Sequence, residues 1–230
     1  MSLSRRASLH RLAALFAAPA LLDLGRPGSH GWARLQALFG EADDPLAGTI
    51  AQYQAGRVRG AWSAAEVTTR ALERARTWNA TLHAVDALAD SAMTEARASD
   101  TRLRRNALRG PMDGVPVFAK SIYDVQGLRT TASSAAWAEL FPELAPRDAI
   151  EVARLRAAGA VVLGKTVADD FAYRGVGTSS LSGQVRNPHD RLGQRTPGGS
   201  SAGSAVSVAC GIAFAALGTD DGGSNRIPAQ

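Results

Sequence analysis

The clearest hydrophobic period in the chain runs from Ser63 to Trp78. Val67, Ala71, Ala75 and Trp78 fall on one helical face, with Arg70, Glu73 and Arg74 opposite. Ser63-Ala64-Ala65-Glu66 opens that segment with a capping box. A second helix is expected from about Asp86 to Arg104, with its charges concentrated in the later half. Gly110-Pro111-Met112-Asp113-Gly114 then breaks the chain, and the apolar run from Val115 to Ala119 reads as a buried strand. A helix over Asp148 to Ala157, ending at Gly159, leads into a second such strand, Ala160 to Leu163. Gly175 to Gly199 is dense in Gly, Ser, Asn and Pro and reads as loop. Ser204 to Gly211 follows as a helix, and Ile212 to Leu217 as a third strand that ends at Gly218-Thr219-Asp220. Short helices are expected at Trp32 to Phe39 and Pro45 to Tyr53. Short apolar strands separated by helices define an α/β class with a largely parallel sheet.

Composition narrows this picture. The chain has 230 residues, 45% hydrophobic and 20% charged, which fits a globular chain and argues against disorder or a collagen-like repeat. No uncharged apolar run is long enough to span a membrane. Cys210 is the only cysteine, so an internal disulfide framework and a Cys-rich zinc site are excluded. The net charge of +5 suggests an anionic partner until its distribution is considered. Residues 1–30 hold Arg5, Arg6, Arg11 and Arg26 against Asp23, or +3, which leaves +2 for the other 200 residues. No basic stripe interleaved with aromatics exists, so nucleic acid is not an expected partner.

That basic leader has two readings. Ser4-Arg5-Arg6-Ala7-Ser8-Leu9 before the apolar stretch Leu12 to Leu22 resembles a twin-arginine export signal, which predicts an exported or periplasmic protein. Ala18-Pro19-Ala20 is a candidate cleavage site, although it falls inside the apolar stretch. The alternative is an amphipathic N-terminal helix on a cytoplasmic protein. Asn79-Ala80-Thr81 is formally a glycosylation sequon, which has no weight without a eukaryotic secretory route.

Two motif matches fail on physical grounds. Gly159 to Thr166 satisfies the P-loop pattern, but its intervening Ala-Val-Val-Leu belongs in a strand. Those N–H groups would be committed to a sheet ladder and could not surround a phosphate. Gly199-Ser200-Ser201-Ala202-Gly203 satisfies the nucleophile-elbow pattern, but the residues before it are polar and irregular where a strand is needed. All four histidines, His10, His30, His83 and His189, precede it, which excludes a Ser-His-Asp hydrolase unless the histidine lies beyond residue 230. None of them pairs at a ligand spacing, so a metal site is not expected either.

The lysines are more informative. Beside 24 arginines stand only Lys120 and Lys165, each at the end of an apolar strand. Burial there would depress an amine's pKa toward neutrality, and arginine cannot lose a proton at usable pH. Codon bias explains the arginine excess equally well, so the argument ranks candidate bases and no more. Candidate nucleophiles lie in two Gly/Ser loops, 197–204 and 218–228. The glycines before Ser224 would let backbone N–H groups converge as an oxyanion hole requires.

From about residue 60 to the end, the sequence resembles the amidase signature enzymes. The resemblance rests on Gly110-Pro-Met-Asp-Gly-Val-Pro-Val-Phe-Ala-Lys120 and on Gly-Gly-Ser-Ser-Ala-Gly-Ser at 198–204. Gly-Thr-Asp-Asp-Gly-Gly-Ser-Asn-Arg-Ile-Pro at 218–228 completes it, with Asn187-Pro188 and Gly164-Lys165-Thr166 in support. It implies a mostly parallel mixed sheet flanked by helices and a Ser–Ser–Lys triad that needs no metal or cofactor. Ser224 would be the nucleophile, Ser200 the bridging serine after a cis peptide, and Lys120 the neutral base. The N–H groups of Asp221, Gly222, Gly223 and Ser224 would hold the oxyanion. Lys165 would be structural, and Asp220 and Arg226 would support the nucleophile loop. The substrate would be a small-molecule amide.

Ala202 and Asp221 stand where the family commonly has Gly and an uncharged residue. The family domain is also much longer, and this chain ends six positions after Ser224. Residues 61–230 therefore read as the N-terminal half of the domain, preceded by a leader at 1–30 and a helical segment at 31–60. A truncated, incompetent fragment is the alternative to an active amidase. A subunit-type member that amidates aminoacyl-tRNA is a third possibility, disfavoured by the export-like leader.

Overall fold

A computed structural model describes residues 44–190 and 192–230. The leader, the helix expected at Trp32 to Phe39 and the first expected domain boundary lie outside the described residues. A short 3-10 turn at Pro45–Ala47 precedes α1 (Ile50–Val58), so the single helix expected over Pro45 to Tyr53 is interrupted near Gly48.

Helix α2 (Ala64–Leu82) starts at the expected capping box. The Glu66 N–H donates to Ser63 Oγ at 3.0 Å, and the Ser63 N–H donates to the Glu66 carboxylate at 2.8 Å. Two further N–H groups of its first turn, those of Ala64 and Ala65, donate to Asp100 on α3 (Ala92–Arg104). Its apolar face, Val67, Ala71, Ala75, Trp78 and Leu82, is buried.

The expected helix from Asp86 is corrected at its start. Val85–Leu88 is a strand, β1, and the helix begins only at Ala92. What holds β1 extended comes from outside it. It pairs antiparallel with β3 (Val161–Thr166), and the Asn79 side chain serves its other edge. Asn79 Oδ1 accepts from the Val85 N–H at 2.7 Å while its Nδ2 donates to the Val85 carbonyl at 2.8 Å. The sequon asparagine is thus occupied as a strand mimic. Asn79→Ala is expected to cost about 1–2 kcal/mol, the usual loss for two part-buried hydrogen bonds to one residue. A lowered urea midpoint at unchanged m-value would register it.

β2 (Pro116–Lys120) and β3 are buried along their whole lengths. They run parallel, and β6 (Ala215–Leu217) lies parallel to β2 on its other side, giving the order β1-β3-β2-β6. Burial on both faces requires the near-continuous Val/Phe/Ala runs that made β2 and β3 legible. The P-loop look-alike is indeed strand, with the Val161 N–H donating to the Val115 carbonyl at 2.9 Å. Smaller elements complete the described chain: α4 (Ala135–Leu140), α5 (Ile150–Ala157), the hairpin β4 (Thr178–Ser179) and β5 (Gly183–Gln184), and α6 (Ala202–Ala209). The mixed, mainly parallel sheet with flanking helices is the expected α/β architecture. Among the described residues no helix is long and apolar enough to cross a membrane.

Register decides which lysine meets the serine loops. Lys120 lies opposite Thr166, while Lys165 lies opposite Ala119 and therefore points to the other face of the sheet. Helix α6 covers the Lys120 face. Thr166 Oγ1 and Ser204 Oγ are 2.7 Å apart, and Ser204 Oγ donates to the Leu217 carbonyl. Gly203 lets that helix come close, because a Cβ there would sit 2.6 Å from the Val167 carbonyl oxygen.

Candidate active site

The site forms at the carboxyl ends of β2 and β6, where open α/β sheets ordinarily hold their ligands. Lys120 closes β2 and is fully buried. Its Nζ donates to Ser200 Oγ at 2.6 Å, to Thr219 Oγ1 at 2.8 Å and to Ser201 Oγ at 3.1 Å. Ser200 follows a cis peptide from Gly199 in the turn before α6, and Thr219 opens the loop after β6. Burial pulls the Lys120 pKa down to about 8, and the charges of Asp169, Asp221 and Asp220 act against that fall. About a tenth of such amines are neutral at pH 7.

Asp169, also fully buried, braces the turn from behind. Its carboxylate accepts from the Gly177 and Thr178 N–H groups, and its own N–H donates to the Ser200 carbonyl. Ser201 ties the two serine loops together. Its N–H donates to the Ser224 carbonyl at 3.1 Å, and its hydroxyl lies 3.3 Å from both the nitrogen and the carbonyl oxygen of Thr219. The Tyr123 hydroxyl donates to the Gly218 carbonyl from the β2 side.

Ser224 is therefore held beside Ser200 through its backbone. No hydrogen bond joins the Ser224 and Ser200 hydroxyls, so only the lysine–serine half of the expected relay is hydrogen-bonded. The loop that carries Ser224 is shaped by Asp220, whose carboxylate accepts from the Gly223, Asn225 and Arg226 N–H groups and pairs with the Arg226 guanidinium at 3.0 Å. The Arg226 contact and those N–H groups hold the Asp220 pKa well below the carboxylate range. Since the Gly223 N–H is spent on Asp220, the expected oxyanion set narrows. Asp221, Gly222 and Ser224 keep N–H groups with no acceptor among the described residues.

Lys165 is not part of this constellation. Its Nζ donates to the Arg129 carbonyl at 2.9 Å and to Thr130 Oγ1 at 3.2 Å on the opposite face. Burial lowers its pKa to about 8 as well, so a depressed pKa alone does not separate the two lysines. Serine hydroxyls do, since Lys120 meets two of them and Lys165 meets a backbone carbonyl and a threonine. Sequence reasoning alone does not find Thr219, Ser201 or Asp169. Thr219 and Ser201 adjoin residues that it singles out, whereas Asp169 has no local signal beyond its place after β3.

These features set a fully buried amine among serine and threonine hydroxyls at the carboxyl edge of an α/β sheet. The chain belongs to the amidase family, whose model, described as Amidase, matches residues 66–230. The A subunit of the glutamyl-tRNA(Gln) amidotransferase of Anaeromyxobacter sp. (strain K) is 44% identical over 176 residues, 76% of this chain and 35% of that protein. The native peptide amidase of Stenotrophomonas maltophilia superposes with a TM-score of 0.73 at 37% identity, covering 83% of this chain and 38% of that one. A 6-aminohexanoate cyclic dimer hydrolase complexed with substrate gives 0.69 at 31% identity, over 81% and 36%. The chain thus spans about a third of the length of the curated relatives it matches.

Proposed function

We propose that the chain carries the catalytic centre of an amidase that hydrolyses a carboxamide C–N bond through an acyl-enzyme. Lys120, as the neutral amine, takes the Ser200 proton, and Ser200 takes the Ser224 proton as Ser224 Oγ attacks the carbonyl carbon. The free N–H groups around Asp221, Gly222 and Ser224 stabilise the oxyanion. Ser200 then returns a proton to the leaving amine, the C–N bond breaks, and water hydrolyses the ester by the reverse proton path. The 2.6 Å contact between a buried amine and Ser200, beside the loop that carries Ser224, is the observation that carries this reading.

A fluorophosphonate probe tests it. Ser224 Oγ would attack phosphorus and expel fluoride, and peptide mapping would find the adduct on Ser224. Folded protein that stays unlabelled, or that is labelled elsewhere, contradicts the reading and favours a non-catalytic fragment. The similarity to A subunits of glutamyl-tRNA(Gln) amidotransferases supports a second reading, in which the same site releases ammonia from an amide for use by a partner. Ammonia release that requires an added aminoacyl-tRNA acceptor system would distinguish it from simple amide hydrolysis.

A further inference from the structure

Three hydroxyl oxygens surround the buried Lys120 amine: Ser200 Oγ at 2.6 Å, Thr219 Oγ1 at 2.8 Å and Ser201 Oγ at 3.1 Å. Among the described residues no carboxylate hydrogen-bonds to it, and Asp169, Asp220 and Asp221 act on it through their charge alone. An ammonium has three N–H donors, which this set satisfies in full. A neutral amine, the form a proton relay needs, has two N–H donors and one lone pair. In a buried site two of the three hydroxyls then accept from it, and the lone pair faces the third.

Proton accounting decides which hydroxyls those are. Ser201 Oγ donates to the Thr219 carbonyl at 3.3 Å, so it meets the amine as an acceptor. Of the other two, Ser200 makes the shorter contact. We propose that Thr219 and Ser201 are positioning residues, whose oxygens take the two N–H groups of the neutral Lys120 amine and so aim its lone pair at Ser200 Oγ. The inference rests on the amidase reading above and names the groups that orient its base. The two acceptors form one unit, because the Thr219 N–H also reaches Ser201 Oγ at 3.3 Å. Once the Ser200 proton has moved to the amine, the same three oxygens receive the three N–H groups of the ammonium. Neither state of the base leaves a buried polar group unpaired.

The chain has two lysines, so whole protein grown on isotope-labelled lysine gives two Cε resonances whose pH dependence reads each amine separately. Lys120→Met identifies which is which. Thr219→Val keeps the shape of the side chain and removes the oxygen. It takes an acceptor from the ammonium, so the Lys120 midpoint, set by burial at about 8, should fall by about one pH unit. The Lys165 midpoint, on the other face of the sheet, should stay in place and so report an intact fold. At about pH 9, where the amine is mostly neutral in both proteins, fluorophosphonate labelling of Ser224 should slow about tenfold as the lone pair loses its aim. Thr219→Ser, which restores the oxygen, should recover both values. A Lys120 midpoint unmoved by Thr219→Val, a labelling rate left unchanged, or no recovery in Thr219→Ser overturns the inference. So does an upward shift, which would mean that the Thr219 hydroxyl donates to the lone pair and competes with Ser200. Each of these outcomes, in protein whose Ser224 is labelled, leaves the amidase reading standing. Absence of labelling in the wild-type protein overturns that reading whatever the titration gives, and the inference falls with it.

Discussion

Lys120→Met is expected to lower the rate of Ser224 labelling by about a thousandfold. Methionine keeps an unbranched chain of similar length in a fully buried position, so the apolar packing around β2 changes little. Among the described residues, the substitution removes the one side chain hydrogen-bonded to Ser200 Oγ. General-base contributions of this kind are worth about 10² to 10⁴ in rate, and a factor of 10³ is about 4 kcal/mol of barrier. Ser200→Ala should give a loss of the same order, because it cuts the relay at its middle. The double variant should be little worse than either single one, as for any groups that act as a unit. Probe kinetics on the three purified variants, with urea unfolding to confirm their folds, check this. Fully additive losses would mean that the two residues act separately.

The largest stability effect is expected at a residue outside the site. Gly164 lies in β3 with φ +147°, a conformation that side-chain-bearing residues rarely adopt. A Cβ there would collide with the Ala87 carbonyl oxygen and lie 2.8 Å from the Leu88 Cα, both backbone atoms of β1. Neither can turn aside as a flexible side chain would. Gly164→Ala must therefore strain its own backbone and push β1 away from β3, although the strands are paired at Leu88 and Gly164. Backbone strain of about 1–3 kcal/mol and overpacking of a similar size give a loss of about 4 kcal/mol. Domains of this kind have about 5–15 kcal/mol in total, so the urea midpoint should fall steeply. A change under about 1 kcal/mol would show that β1 can yield.

How much of this was legible in the sequence follows from where each element gets its stability. β2 and β3 announce themselves because both faces are buried and every residue must be apolar or specially partnered. Helix α2 does so through its cap and its period, which are local facts. β1 does not. Val85-Asp86-Ala87-Leu88 is short, contains good helix formers and joins a helical segment, and only its pairing with β3 and the Asn79 side chain make it a strand. α4 escapes notice for a related reason, being six residues long with one capping contact from Ser134.

The candidate site divides the same way. Lys120, Ser200 and Ser224 are legible through motif resemblance, and the rarity of lysine points independently to position 120. The separation of Lys120 from Lys165 is not legible, because it depends on β-sheet register and on which face α6 covers. The commitment of the Gly223 N–H to Asp220 is also a product of the folded loop. Spacing alone would count that group among the oxyanion donors.

The dependence of Ser224 labelling on pH tests the central claim most directly. A relay driven by the Lys120 amine requires the deprotonated form, and burial sets its pKa at about 8. The labelling rate should therefore climb about tenfold per pH unit below 8, level off above it, and lose that inflection in Lys120→Met. A profile that is flat from about pH 6 to 9, or an inflection near 8 that survives Lys120→Met, would contradict the account.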